Sequence, residues 1–560
     1  MTPKLKSMCR SVRLLASATA LGAAFGFPAA ALSQERPNAG QILQQLREAP
    51  APPRLSPSIL PSAPDSQPAA PGGPRVTVRS LAFDGNAVIS DAVLMRELAG
   101  VPGQDFDLAG LKDLADRITD LYHRNGFPFA RAFIPEQSMT GGALTIAVVE
   151  GRYGDVRVVG PDDRAAQAQA FLSGLERGTV IRGETLERAS LILDDQPGYK
   201  FVPIIRPGQE LGAGDLVYRM DRDRRFGGSV QIDNHGNRYT GRHRSQAGFY
   251  ANSPFMLGDQ LNLTGIYSEE DMWSGSVGYN LPLGYSGLRG TLGYVHTYYE
   301  LGEEFSSLDA YGTADVVTAG LSYPLIRSQT ANLSLSANYQ HKWLTDEQGA
   351  AGTVNRKSSN SIPVTLGFDR RDSFGGGGVT YGSLSWTHGI LRLDAGLQAS
   401  DRTTAQSDGS FDKVNLDIVR LQSLPVDNMT LYARGSYQMA FDNLDSSEDF
   451  GLGGPEGVRA YPTGEAYGDE GAFAQIELRY ALGWAAPYMF YDYGYSRANH
   501  DPWTAGDNRR ALGGGGAGLR VSYEGWSANL AVAWRHIGGE PTSDNQADDP
   551  MWWFSLGYQF

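Results

Sequence analysis

From about residue 222 to the C-terminus, apolar and polar residues alternate with a period of two, segment after segment, and this restricts the fold more than any other feature. Trp273, Gly275, Val277, Tyr279 and Leu281 alternate with Ser274, Ser276, Gly278 and Asn280. Leu333, Leu335, Ala337 and Tyr339 alternate with Asn332, Ser334, Ser336 and Asn338. Trp526, Ala528, Leu530, Val532 and Trp534 alternate with Ser527, Asn529, Ala531 and Ala533. Successive strand residues point to opposite faces. One face carries aromatic residues toward strand ends, as girdles at two membrane interfaces do. The other carries Ser, Asn, Gln and charges, suited to a wet lumen. In lipid every backbone polar group must be paired, so a spanning sheet has to close into a barrel. The pattern predicts sixteen strands, at 227–234, 243–252, 258–268, 271–281, 288–300, 309–322, 330–344, 360–371, 378–389, 411–423, 428–440, 472–483, 486–497, 511–522, 525–536 and 551–560. An even number is usual in bacterial barrels.

Composition excludes several other classes. Sixty-nine Gly and 10% aromatic residues in 560 suit many short strands better than a helical enzyme. A net charge of −14 argues against a nucleic-acid surface. One cysteine rules out a disulfide framework and a Cys-rich metal site. Beyond the N-terminus no apolar run reaches the ~18 residues of a helical span. There is no His-Glu-x-x-His pair, no Gly-x-Ser-x-Gly turn and no phosphate loop ending in Gly-Lys-Ser/Thr. The runs Gly375–Gly378 and Gly513–Gly516 lack a following Lys and read as loop or strand-edge features. His235 and His243 near the first hairpin do not make a metal set, and Glu269-Glu270 and Asp548-Asp549 read as solvated loop acids. No enzymatic activity, metal or cofactor is expected.

Residues 1–33 read as a secretory signal peptide: Lys4, Lys6, Arg10 and Arg13, then an apolar stretch from Leu14 to Phe27, then Ala31-Leu32-Ser33. An N-terminal helix is expected within 34–49, drawn from Asn38 to Ala49 with Asn38 as N-cap and Ile42, Leu43 and Leu46 on one side. A Pro-rich, extended linker follows over 50–74. Two small α/β units, 75–151 and 152–221, each read β-α-α-β-β. In the first, Ser90 caps a helix ending at Gly100, Asp107 to Asn125 forms a second, and strands lie at 130–134 and 143–149. In the second, strands lie at 155–159, 199–206 and 215–220, with helices near 166–175 and 184–193. Units of this kind with a free strand edge bind extended polypeptide by strand addition.

Here the residues carry a family resemblance. Tyr122-(x)3-Gly126-Phe127-(x)2-Ala130, Ile134-Pro135-x-Gln137 and Leu144-x-Ile146-x-Val148-x-Glu150-Gly151 resemble the polypeptide-transport-associated (POTRA) domain of the two-partner-secretion transporters, the TpsB family of haemolysin-activator-like outer-membrane proteins. Asp195-x-Pro197-Gly198 with Arg206-Pro207-Gly208 resembles the second such domain. The resemblance covers nearly all of the chain after the signal peptide. It implies a sixteen-stranded antiparallel transmembrane β-barrel preceded by two POTRA domains. It also implies a bacterial outer membrane as location, with outer-membrane lipid around the barrel.

Between strands eleven and twelve lies Phe450-Gly451-Leu452-Gly453-Gly454-Pro455-Glu456-Gly457-Val458-Arg459-Ala460-Tyr461-Pro462. A loop of ~30 residues inside a compact domain is usually functional. It resembles the family's Val-Arg-Gly-Tyr/Phe loop, which folds back into the lumen, with Ala460 in place of Gly. A backbone needing positive φ at 460 is thereby in doubt. Phe490-Tyr491-Asp492-Tyr493-Gly494 resembles the family's Phe-x-Asp-x-Gly strand, whose inward Asp pairs with the loop Arg. Alternation puts Tyr491, Tyr493 and Tyr495 on one face and Phe490, Asp492 and Gly494 on the other. The expected loop–barrel contact is therefore Val458, Arg459, Ala460 and Tyr461 against Phe490, Asp492 and Gly494. Phe560, closing Trp552, Phe554, Leu556 and Tyr558 at period two, resembles the C-terminal signal read by the barrel-assembly machinery. The implied function is export of an unfolded, β-rich secreted partner, with no nucleic-acid partner. An assembly factor that inserts other barrels and a passive solute channel are the alternatives.

Overall fold

The computed structural model describes residues 36–46, 50, 52–53, 71–160 and 164–560. The signal peptide over 1–33 and most of the linker lie outside the described residues. None of the described helices is long and apolar enough to cross a membrane.

Helix α1 (Ala39–Gln45) starts where expected. Asn38 closes a capping box: its side chain accepts from Gly40 and Gln41 N–H, and Gln41 Oε1 accepts from Asn38 N. The helix runs to Gln45 with Leu46 as its C-cap, and the expected end at Ala49 lies outside the described residues.

The first α/β unit contains β1 (Val76–Val78), β2 (Ser80–Asp84), α2 (Asp91–Glu97), β3 (Gln104–Phe106), α3 (Leu108–Arg124), β4 (Arg131–Phe133) and β5 (Ala143–Val149). Its sheet has the order β2-β5-β4, with β2 and β5 parallel. Leu111, Leu114, Ile118 and Leu121 recur on one face of α3 and bury against Leu144, Ile146 and Val148. Asp107 caps this helix, accepting from Gly110 N at 2.9 Å. Two details differ from expectation. Helix α2 stops at Glu97, and Ser90 makes no side-chain cap bond. A short pairing of β1 with β3, too brief to leave a periodic signal, adds a two-stranded ribbon.

The second unit contains β6 (Arg152–Val159), α4 (Arg164–Ala170), α5 (Gly183–Asp194), β7 (Tyr199–Pro207) and β8 (Ala213–Arg222), in sheet order β6-β8-β7. Strand β6 begins three residues before the expected 155, and α4 ends five before the expected 175. Phe171, Leu172 and Leu175, beyond that end, are still buried in the unit's core. Burial, not helix continuation, produced their apolar spacing.

The remaining chain is a closed barrel of sixteen antiparallel strands. They are β9 (Phe226–Asp233), β10 (Arg244–Asn252), β11 (Gln260–Ser268), β12 (Trp273–Pro282), β13 (Arg289–Glu300), β14 (Ala310–Arg327), β15 (Ala331–Gln348) and β16 (Thr353–Asp372). Then come β17 (Gly378–Leu393), β18 (Gly409–Ser423), β19 (Met429–Ala440), β20 (Glu470–Tyr480), β21 (Ala485–Arg497), β22 (Arg509–Tyr523), β23 (Trp526–Ile537) and β24 (Met551–Gln559). Strand β24 closes on β9, and Phe560 adds a backbone bond pair with Gly228 at 3.0 and 3.1 Å. Trp273, Leu335, Trp526 and Trp534 stand exposed on the outer wall, while Lys413, Gln438, Gln475 and Ser496 are buried on the inner one. Strand β16 begins at Thr353, not 360, and β15 runs to Gln348, not 344. The added residues, such as Asp346, Glu347, Asn355 and Arg356, are polar on both faces. Backbone pairing continues there, but lipid no longer imposes alternation.

Short turns at one mouth hold the second unit. Ser253 Oγ donates to Pro197 O at 2.6 Å, Gln167 Oε1 accepts from Leu257 N at 2.8 Å, and Arg188 Nη2 donates to Pro324 O at 2.7 Å. Arg327 grips Asp195 with two bonds of 2.7 and 2.8 Å. Leu257, from the turn between β10 and β11, is buried in the core of the second unit.

Candidate functional site

The loop between β19 and β20 turns into the lumen instead of standing off the far mouth. Its tip is fixed by two short-range features. Val458 N donates to Leu452 O at 2.7 Å, and Tyr461 N donates to Val458 O at 3.0 Å. Arg459 is thereby aimed at the inner wall.

The structure brings Arg459 and Asp492 together. Arg459 Nε and Nη2 each donate to a different oxygen of Asp492 at 2.8 Å, and Arg459 N adds a third bond at 3.1 Å. Nη1 donates to Glu477 Oε1 at 2.6 Å. The guanidinium lies 3.4 Å from the ring centre of Phe490. Side-chain exposures of 5% for Arg459, 1% for Glu477 and 0% for Asp492 mean that these charges answer to each other and not to water. Planar, bidentate donation of this kind belongs to Arg and not to Lys.

Glu477 was not anticipated, nor were two further arginines. Arg520 Nη1 donates to Glu477 Oε2 at 2.9 Å and Arg479 Nε to the same oxygen at 2.7 Å. Arg520 also stacks 4.1 Å from the ring centre of Tyr488, as Arg479 does on Tyr432. The available signal was the run Gln475, Glu477, Arg479 alternating with Ile476 and Leu478, which puts three polar residues on the lumen face.

Small residues make room for the tip. Leu452 and Val458 pack over Gly494, where a Cβ would come within 2.6 Å of Leu452 Cδ2. Ala460 sits over Gly514, whose Cβ would fall 2.2 Å from that of Ala460. Ala460 is not among the residues of positive φ, whereas Ala466 of the same loop is, at 56°. Position 460 therefore does not need glycine, and the extra methyl is accommodated by the bare backbone of β22. Tyr461 is fully buried, its hydroxyl donating to Ile537 O at 2.7 Å and lying 2.9 Å from Gly539 O. Trp553 Nε1 donates to Arg459 O at 2.7 Å. Phe560 is remote from this cluster; its ring covers Gly228 on the outer wall.

Helix α1 also lies in the lumen. Ala39 and Ile42 pack against Tyr239, Tyr299, Leu301, Ala314 and Leu344 of the wall and its loops. Ala39 N donates to Asp346 Oδ1 at 2.8 Å. A cavity of about 930 Å³ remains between α1, the loop and the wall, lined in part by Gln44, Arg434, Phe450, Glu456 and Arg520.

Loops at the far mouth join over the top. Arg238 donates to Glu304 Oε1 at 2.8 Å and Glu303 Oε2 at 3.0 Å. Burial disfavours its charged form, yet these two carboxylates hold its pKa above the ordinary value. Glu465 of the inward loop accepts from Thr542 N at 2.9 Å and Ser543 N at 2.7 Å. No group of three or more His, Cys, Asp or Glu among the described residues is arranged to hold a metal ion.

Comparison with known proteins agrees with this architecture. The family described as haemolysin secretion/activation protein ShlB/FhaC/HecB matches residues 212–521, and the ShlB-type POTRA domain matches 76–151. The heme/hemopexin transporter protein HuxB of Haemophilus influenzae (strain 86-028NP) is 29% identical over 574 residues, covering 97% of this chain and 98% of its own. The outer membrane transporter CdiB of Escherichia coli is 27% identical over 557 residues, covering 91% of each. The solved structure of CdiB from Escherichia coli superposes with a TM-score of 0.72 at 23% identity, over 90% of this chain and 94% of that one. CdiB from Acinetobacter baumannii gives 0.63 at 18% identity, over 93% and 96%.

Proposed function

The chain belongs to the haemolysin secretion/activation family ShlB/FhaC/HecB, and from that premise we propose that it carries an unfolded, β-rich partner protein across the outer membrane. It is an outer-membrane transporter of the two-partner-secretion class, with its POTRA domains on the periplasmic side. In this reading residues 75–151 and 152–221 are the two POTRA domains and 222–560 the pore. The observation that carries it is a pair of strand-edged units, the second joined to one mouth of a closed barrel, with helix α1 and an inward loop lying in the lumen. The free edges of β2 in the first unit and β7 in the second offer backbone groups to an extended chain. Helix α1 is the plug of the resting pore. The clamp of Arg459 on Asp492 and Glu477 sets the position of the inward loop along the route. Phe560 serves as the terminal signal for the barrel-assembly machinery, and outer-membrane lipid covers the aromatic outer wall.

Deleting the gene and comparing proteins in the medium tests the proposal. A large β-rich protein should vanish from the medium and be restored by the intact chain. An unchanged medium, with other outer-membrane barrels depleted instead, would point to barrel insertion and overturn export.

A further inference from the structure

Residues 222–560 contain only three lysines, Lys342, Lys357 and Lys413. They stand on β15, β16 and β18, and all three point into the lumen at one short piece of the inward loop, Asp445 to Glu448. Lys342 Nζ donates to Glu448 Oε1 at 2.5 Å and to Ser447 O at 3.1 Å. Lys413 Nζ lies 2.8 Å from Glu448 Oε2 and donates to Glu448 O at 2.7 Å. Lys357 Nζ donates to Asp445 Oδ2 at 2.6 Å and to Ser446 Oγ at 3.0 Å. The lysine side chains are 3–10% exposed. An ammonium is a compact charge with three donors, so each lysine ties a carboxylate and a second oxygen of the same segment.

The other side of this segment carries α1. Ser446 Oγ donates to Asn38 Oδ1 at 2.7 Å, and Gln44 Nε2 donates to Ser447 O. Gly40 lies so close that a Cβ there would fall 2.5 Å from both Ser446 Oγ and Ser447 N. The Ser446 hydroxyl thus meets Lys357 and Asn38, and the Ser447 carbonyl meets Lys342 and Gln44. The same atoms face the wall and the helix.

We infer that Lys342, Lys357 and Lys413 are positioning residues: they hold Asp445–Glu448 as the seat of α1, and this seat, rather than the Arg459 clamp, governs how long α1 remains in the lumen. The inference rests on the reading of α1 as a plug. Without the lysines, Asp445 and Glu448 lose their counter-charges, the segment shifts, and the close approach at Gly40 is lost. The Arg459 cluster shares no residue with this network and keeps its own partners.

Single-channel recording of the full-length protein in planar bilayers tests it, with heat-modifiable migration as the check on folding. Losing one charged hydrogen bond per lysine corresponds to about a tenfold change in occupancy of the seat. Lys342→Met with Lys413→Met, which removes two such bonds, should therefore raise the open fraction up to about a hundredfold, limited by that of a chain lacking residues 34–53. Combining both changes should add nothing further. Lys342→Arg with Lys413→Arg, which keeps the charges, should stay closer to the parent than the Met pair. A disulfide between Asn38→Cys and Ser446→Cys should close the pore, and form less readily when the lysines are replaced. Parental conductance in the Met pair, with the shortened chain open, overturns the seat and leaves the plug standing. A shortened chain that stays closed overturns the plug itself. If the Met pair does not fold, Gly40→Val, which meets the seat from the helix side with all lysines intact, must open the pore; a closed pore in that variant overturns the inference.

Discussion

Arg459→Ala should be the most damaging single change at the loop–barrel contact, and the structure says by how much it should exceed its partner. Breaking a buried pair by removing one member costs about 3–5 kcal/mol, because the other charge is left uncompensated. Arg459→Ala strands Asp492, which is 0% exposed and retains only Gln475 Nε2 at 3.2 Å and the backbone N–H of residue 459. It should therefore reach the upper part of that range. Asp492→Ala leaves Arg459 bonded to Glu477 at 2.6 Å and stacked on Phe490, so about half that cost, ~2 kcal/mol, is expected. Arg459→Lys loses the two-pronged bond and should fall near 2–3 kcal/mol, about what one or two charge-assisted bonds contribute. None of these unfolds the barrel, whose strands pair independently of the loop. All three variants should insert as heat-modifiable barrels, secrete poorly, and show a displaced loop by spin-label distances between the tip and β21. The assay is a double-mutant cycle on loop position and secretion, with insertion measured for each variant. Contacting residues couple by about 0.5–3 kcal/mol. If the two alanine changes acted independently, or if Asp492→Ala were the worse of the two, the reasoning from shared partners would be wrong.

Ala460→Gly should secrete normally, since position 460 has no left-handed φ, whereas Gly514→Val should displace the loop; comparing the two by secretion and loop protease sensitivity checks the packing of the Ala460 methyl on β22. Removal of residues 34–53 should raise conductance in planar bilayers by emptying the lumen of α1. Leu257→Asp buries a carboxylate in the core of the second unit and should release that unit from the barrel mouth, destabilising the junction by about 3 kcal/mol or more; faster proteolysis within 152–221 measures it. The full-length protein should bind the unfolded N-terminal region of its partner, and Ile205→Pro, which removes an outward N–H of β7 while leaving its ladder with β8 intact, should weaken that binding in calorimetry; equal affinity in that variant would dismiss strand addition at β7.

What the sequence alone determined is whatever depends on short-range periodicity. Alternation at period two placed Trp273, Leu335 and Trp526 outside, Asp492 and Gly494 inside, and found all sixteen strands. Helical spacing located α1 and α3, the Asn38 cap marked the start of α1, and the resemblance of two spaced motifs to the family placed Arg459 opposite Asp492. Strand ends were legible only where lipid enforces alternation, so the polar extensions of β15 and β16 were missed. The other partners across the lumen were not legible. Arg459 meets Glu477, Gly514 meets Ala460, and Gly40 meets Ser446 some four hundred residues away. A period of two says which wall face a side chain occupies, but the closure and stagger of the barrel decide what stands opposite it. The three lysines are far apart in sequence and converge only because β15, β16 and β18 bend around one loop, and that loop is fixed by the same closure.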